Sequence, residues 1–200
     1  MVPETILQIR VALVGIDPPI WRLIQIPSSY SFWDLHVAIQ DAMGWTDSHL
    51  HVFRVPDPRT GTVVEIGIPV EGLENERPLR PGWDVCVRDY LFEASPLVTY
   101  EYDFGDSWIH AIQVELELRH AADRAHPVCV AGGRKCPPED CGGIPGYEEF
   151  LRVIADATDP EHQSMLEWAG GSFDPEAFDP SEVSFDDPRE RWRLAFGTGA

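Results

Sequence analysis

The chain has 200 residues, 44% hydrophobic and 24% charged, which suits a single globular domain with its own core and argues against global disorder. Fifteen Lys and Arg stand against 34 Asp and Glu, a net charge of −19, with Lys135 the only lysine. Nucleic-acid affinity draws on cations that release counterions, so direct nucleic-acid binding is disfavoured and a protein partner is expected; the charge itself reads first as solubility, and as a sign of a basic or cationic partner only as the sharper alternative.

Residues 5–14 are β-branched and partly alternating, and predict a strand. Gly15-Ile16-Asp17-Pro18-Pro19 is turn chemistry, and Ile20 to Ile26 returns as a second strand, making a hairpin. Ser31 is placed to cap a helix, with Asp34 in the first turn where the helix dipole favours it. Phe32, Leu35, Ile39 and Met43 follow at helical spacing, and Gly44 stops the helix. Strands are expected over residues 49–55 and 62–68. The order strand, strand, helix, strand, strand is that of a β-grasp-like α+β unit with a mixed sheet.

Residues 69–82 read as loop and residues 85–92 as a short helix. Residues 97–102 and 108–118 predict a long hairpin turning through Asp103-Phe104-Gly105-Asp106, where Gly105 can take a positive φ. Residues 120–145 are irregular, rich in Gly and Pro, and carry three of the four cysteines. Tyr147, Phe150, Leu151 and Ile154 recur at helical spacing after Gly146. Asp159 and Pro160 open a further helix that Gly170 ends, and Asp187-Pro188 opens a last one through Trp192. Between them, residues 173–185 read as an extended segment laid over the domain by its phenylalanines. The expectation is one domain over 1–200, sheet-rich over 1–119, with a Cys/Gly/Pro loop and a helical part over 120–200.

No apolar run approaches the ~18 residues needed to cross a bilayer. Alternation begins directly after Met1 to Glu4, with no secretory segment, so no membrane association and a cytoplasmic location are expected. The four cysteines then read as thiols or metal ligands in place of disulfides.

Chemistry concentrates in two short stretches, Tyr100 to His110 and Cys136 to Gly143. Tyr102, Asp103, Asp106, Trp108, His110, Glu139 and Asp140 form the candidate site. Asp103, Asp106 and His110 are the residue types that hold a divalent metal or serve as acid and base, with Glu139 or Asp140 as base in a hydrolase-like reaction. The alternative is a turn in which the Asp side chains bond the backbone and His110 pairs with a carboxylate. Cys129, Cys136 and Cys141 are spaced C-x6-C-x4-C, looser than paired zinc motifs, and would need His110, His126 or Asp140 as a fourth ligand. His49 and His51 alternate along one strand and could chelate, or simply form a polar face. No cofactor is certain from these patterns, and a divalent metal such as zinc is the one they allow. No G-x-S-x-G, H-E-x-x-H or G-x-G-x-x-G motif is present.

The chain resembles the plasmid pRiA4b ORF-3-like family over nearly its whole length. The resemblance rests on Pro19-Ile20-Trp21-Arg22, Leu35-His36, Ile39-Gln40, Gly44-Trp45 and His49-Leu50 with Phe53. It rests further on Tyr100 through His110, and on Pro137 through Gly143 with Gly146-Tyr147. The resemblance implies a β-grasp-like α+β core and an association with mobile elements, where some relatives carry a transposon-resolvase label, and it implies no catalytic residues. Three readings follow: a binding or adaptor module with a groove where the Tyr102–His110 hairpin meets the Cys136–Tyr147 loop; a metal-dependent enzyme using Asp103, Asp106 and His110; and an accessory protein of DNA transposition, which the charge disfavours.

Overall fold

A computed structural model describes residues 5–70, 79–119 and 126–197. Strand β1 (Thr5–Leu13) pairs antiparallel with β2 (Trp21–Pro27), with Ile9 opposite Ile24, as the local hairpin signal predicts. Helix α1 (Phe32–Met43) begins with a full capping box: the Ser31 hydroxyl accepts from Asp34 N, and the Asp34 carboxylate accepts from Ser31 N. Gly44 ends it in the left-handed region at φ 82°.

Strands β3 (His51–Pro56) and β4 (Val63–Gly67) follow as an antiparallel pair, and β5 (Leu79–Pro81) runs parallel to β4. A single 3-10 turn, Val87–Asp89, stands where a short helix is expected over 85–92, and a second, Gly82–Asp84, precedes it. Of the expected 69–82 loop, residues 71–78 lie outside the described residues, and 79–81 form strand β5 instead of loop.

The second hairpin is β6 (Val98–Tyr102) and β7 (Trp108–Arg119). Its turn does not use Gly105 for positive φ. Asp103 (57°) and Ser107 (54°) take the left-handed conformation instead. The Asp103 carboxylate compensates locally by accepting from Gly105 N at 2.9 Å, an Asx turn that stabilises this backbone.

The expected irregular stretch contains an eighth strand, β8 (Val128–Gly133), which pairs antiparallel with β2 at the sheet edge. Its pattern is hidden because Ala131-Gly132-Gly133 offers little side chain to alternate. A Cβ on Gly132 would stand 2.8 Å from Cζ of Phe178, so the small residue admits the overlying ring.

The sheet order is β5-β4-β3-β6-β7-β1-β2-β8. Hairpin β6–β7 lies between β1 and β3, so the first four strands form no contiguous sheet. The grasp-like expectation therefore narrows to an α+β protein with one mixed, mostly antiparallel eight-stranded sheet. Along β7, Trp108, His110, Ile112 and Val114 are buried while Ile109, Gln113 and Glu115 are exposed, so one sheet face carries the core and the other meets water.

On the core face lies α1, with Phe32 edge-on to Phe53 at 5.1 Å. Helices α2 (Gly143–Ala155), α3 (His162–Trp168) and α4 (Pro188–Phe196) complete the chain. Helix α2 starts at Gly143, three residues ahead of the expected Gly146 boundary. The segment from Phe173 to Phe185 packs Phe173, Phe178, Val183 and Phe185 against the core. Helix α4 closes over α1 through Trp192 on Trp33 (5.4 Å) and Arg191 on Asp41 (2.7 Å). Among the described residues, no helix is long and apolar enough to cross a membrane.

Candidate functional site

The two chemistry-rich stretches meet, with the Gly44–Ser48 turn after α1 wedged against both. Trp45 stacks on Tyr102 at 5.1 Å, lies 5.9 Å from Trp108 and edge-on to His110, and donates from Nε1 to Pro137 O at 2.9 Å. The Tyr102 hydroxyl donates to Glu139 Oε1 at 2.6 Å and accepts from Ser48 N. Burial, then the Glu139 carboxylate, raise its pKa far above the usual phenol range, so Tyr102 is a fixed donor. The other Glu139 oxygen accepts from Thr46 N and from the Thr46 hydroxyl. Gly142 N donates to Asp106 Oδ2 at 3.0 Å. The expected groove between hairpin and loop is thus a closed junction.

This arrangement separates the expected catalytic set. Asp106 is spent on the Gly142 amide. His110 points into the core from β7, fully buried, with Nδ1 3.1 Å from Trp108 O. Burial lowers its pKa to about 4 against the opposing pull of the Tyr100 and Trp108 carbonyls, so it is neutral at physiological pH. Asp103 turns away from both, towards His49, whose Nε2 is 3.7 Å from Asp103 Oδ2 and 3.0 Å from Asp140 Oδ1. Among the described residues, His49, Asp103 and Asp140 are the one group of three potential metal ligands.

The cysteines do not gather into such a group. Cys129 and Cys136 are buried within electrostatic reach of the Arg22 guanidinium, and Cys141 is half-buried; all are free thiols. Desolvation raises all three pKa values, to about 12 for Cys141, so they sit as protonated thiols. His51 is not paired with His49 either. His49 precedes β3, while His51 is fully buried and stacks on His36 with centroids 3.5 Å apart.

Two features were missed in the sequence. One is the His36 network: His36 Nε2 donates to Asp47 Oδ1 at 2.7 Å, the Tyr100 hydroxyl donates to His36 Nδ1 at 2.8 Å, and Gln40 Nε2 donates to that hydroxyl at 2.9 Å. Desolvation lowers the His36 pKa to about 3, so the neutral ring has one tautomer that satisfies both neighbours. The signal available was a His and a Gln on the apolar face of α1. The other is Arg22, 2% exposed, which donates to Ala42 O, Trp21 O and Gly133 O and lies 3.8 Å from the Phe178 ring centroid.

Beside the closed junction, past Pro137 and Pro138, opens a cleft of about 410 Å³. Trp45, Phe173 and Phe178 form apolar parts of its lining, and Asp41, Asp179 and Glu182 add carboxylates.

An eight-stranded α+β sheet with one solvent-facing side, whose β6–β7 hairpin is locked to a Gly-rich loop by aromatic and carboxylate contacts, defines the class. The chain belongs to the plasmid pRiA4b ORF-3-like protein family, whose profile matches residues 5–182. It is 33% identical over 191 residues to the uncharacterized protein y4hQ of Sinorhizobium fredii, covering 94% of each chain. The crystal structure of a protein of unknown function, MM3350 from Methanosarcina mazei Go1, is 40% identical with a TM-score of 0.84, covering 91% of this chain and 99% of that one. None of these descriptions carries an activity.

Proposed function

We propose that the protein is a binding module that seats a cationic segment of a protein partner in the cleft beside Trp45. The observation that carries this reading is the lining: aromatic surface from Trp45, Phe173 and Phe178 joined by the carboxylates of Asp179 and Glu182, with Lys135 and the buried Arg22 as the cations of the same lining and Asp41 already paired to Arg191. Arginine and lysine bind such surfaces through ring faces and charge together. The net charge of −19 adds long-range steering for the same partner class and opposes duplex DNA. The fate of the candidate acids and bases supports a module over a hydrolase, since Asp106, Glu139 and His110 hold structural bonds. Four free thiols fit a reducing compartment, and the cytoplasm is the location we assign.

The test is calorimetric titration of the full chain with oligo-arginine-rich and matched acidic peptides, and with duplex DNA at low salt. Wild type is expected to bind the basic peptide only. Glu182 is exposed, so Glu182→Lys keeps the fold and is expected to weaken binding severalfold. Absence of basic-peptide binding, or equal binding by Glu182→Lys, overturns the cleft assignment.

A further inference from the structure

The residue cluster outside the cleft with the most unspent chemistry is His49, Asp103 and Asp140. We infer that these three side chains form a binding site for one divalent transition-metal cation of the zinc class.

Three segments that are distant in sequence converge here: the residue two positions ahead of β3, the tip of the β6–β7 hairpin, and the loop before α2. Asp103 N donates to Leu50 O at 3.0 Å, which ties the hairpin tip beside His49. The three donor atoms lie within 4.8 Å of one another, with His49 Nε2 at 3.0 Å from Asp140 Oδ1 and 3.7 Å from Asp103 Oδ2. Donors bound at about 2.0–2.1 Å in tetrahedral zinc stand roughly 3.4 Å apart, between those two separations.

The electrostatics of the cluster point the same way. His49 Nε2 is shielded from solvent and makes no hydrogen bond of acceptable geometry, although it faces two carboxylates. A buried ring nitrogen without a well-formed hydrogen bond costs free energy. The Asp103 side chain is only 11% exposed, and among the described residues His49 is its one ion-pair neighbour. A carboxylate in that position needs a compensating positive charge. One cation shared by the three atoms satisfies the nitrogen and both carboxylates together. Asp103 is already aimed, because its other oxygen is held by Gly105 N.

Ligand chemistry selects the ion. Calcium and magnesium take all-oxygen shells, whereas one imidazole with two carboxylates suits zinc and its first-row neighbours. Asp140 is 71% exposed, so the remaining coordination position opens outward. None of the cysteines takes part. The site does not depend on the peptide cleft, and either can fail without the other.

The experiment is titration of the chelator-treated full chain with zinc chloride by calorimetry, with cobalt(II) absorption as a second readout. Asp140→Asn is the key variant, because Asn tolerates the left-handed backbone (φ 57°) while losing the charge. The expected result is one zinc per chain, with affinity reduced at least about tenfold in Asp140→Asn and in His49→Gln. Cys129→Ser with Cys141→Ser should bind as wild type, and the cobalt spectrum should lack a thiolate charge-transfer band. Folded wild type that binds no zinc overturns the inference. Zinc lost only in the cysteine variant overturns it equally.

Discussion

Replacing Gly143 by alanine tests whether the hairpin and the Gly-rich loop are locked as the structure places them. Gly143 has φ 67°, and a Cβ there would stand 2.6 Å from the backbone carbonyl oxygen of Asp106. The left-handed backbone costs an L-residue about 1–2 kcal/mol. The clash adds about 1–3 kcal/mol, because the atom met is backbone and must move by roughly 0.6 Å to reach contact distance. Moving it also strains the bond from Gly142 N to Asp106 Oδ2. A total loss of about 2–5 kcal/mol follows, which lowers a urea midpoint by about 1–2.5 M at a slope near 2 kcal/mol/M. Gly142→Ala is the internal control. Its φ is 90°, yet its Cβ would meet only Gly146 Cα at 3.6 Å, so it bears the backbone cost alone. The assay is urea unfolding of both variants beside wild type, followed by far-UV circular dichroism. Equal midpoints for the two variants, or a Gly143→Ala midpoint at the wild-type value, would refute the interlock.

Arg22→Lys should lower the melting temperature by about 5–15 °C, because an ammonium cannot reproduce three divergent bonds to Ala42, Trp21 and Gly133 carbonyls, a loss of about 2–4 kcal/mol; an unchanged melt contradicts this. Stability should fall with acidification below about pH 6.5. His36, His51 and His110 are buried neutral, with folded pKa values of about 3, well below normal and about 4, while the unfolded chain takes up their protons near 6.5. Between pH 7.5 and 5.0 His36 and His110 each contribute a loss of about 2 kcal/mol and His51 adds in the same direction, opposed by Asp41 and Asp47, whose pKa values burial raises. Urea midpoints at the two pH values measure it, and a flat profile contradicts neutral burial.

Locally encoded features were legible in the residues themselves. Ser31, Asp34 and Gly44 bound α1 through bonds that span a single turn, Asp187-Pro188 opens α4 likewise, and the β1–β2 hairpin follows from alternation around one turn. What joins distant segments was not. Alternation says that β6 and β7 each bury one face, but not that they insert between β1 and β3, since strand neighbours are chosen by long-range packing. Strand β8 went unread because Gly132 answers to Phe178 and Gly133 to Trp21, neighbours that only the folded chain brings there. The residue types of the site, Asp, His and Glu beside aromatics, were visible as costly to bury. Their partners were decided in three dimensions: Asp106 takes the Gly142 amide, His110 goes into the core, and Asp103 meets His49 and Asp140. A side chain's composition fixes what it can bond, while the fold fixes what lies within 3 Å of it.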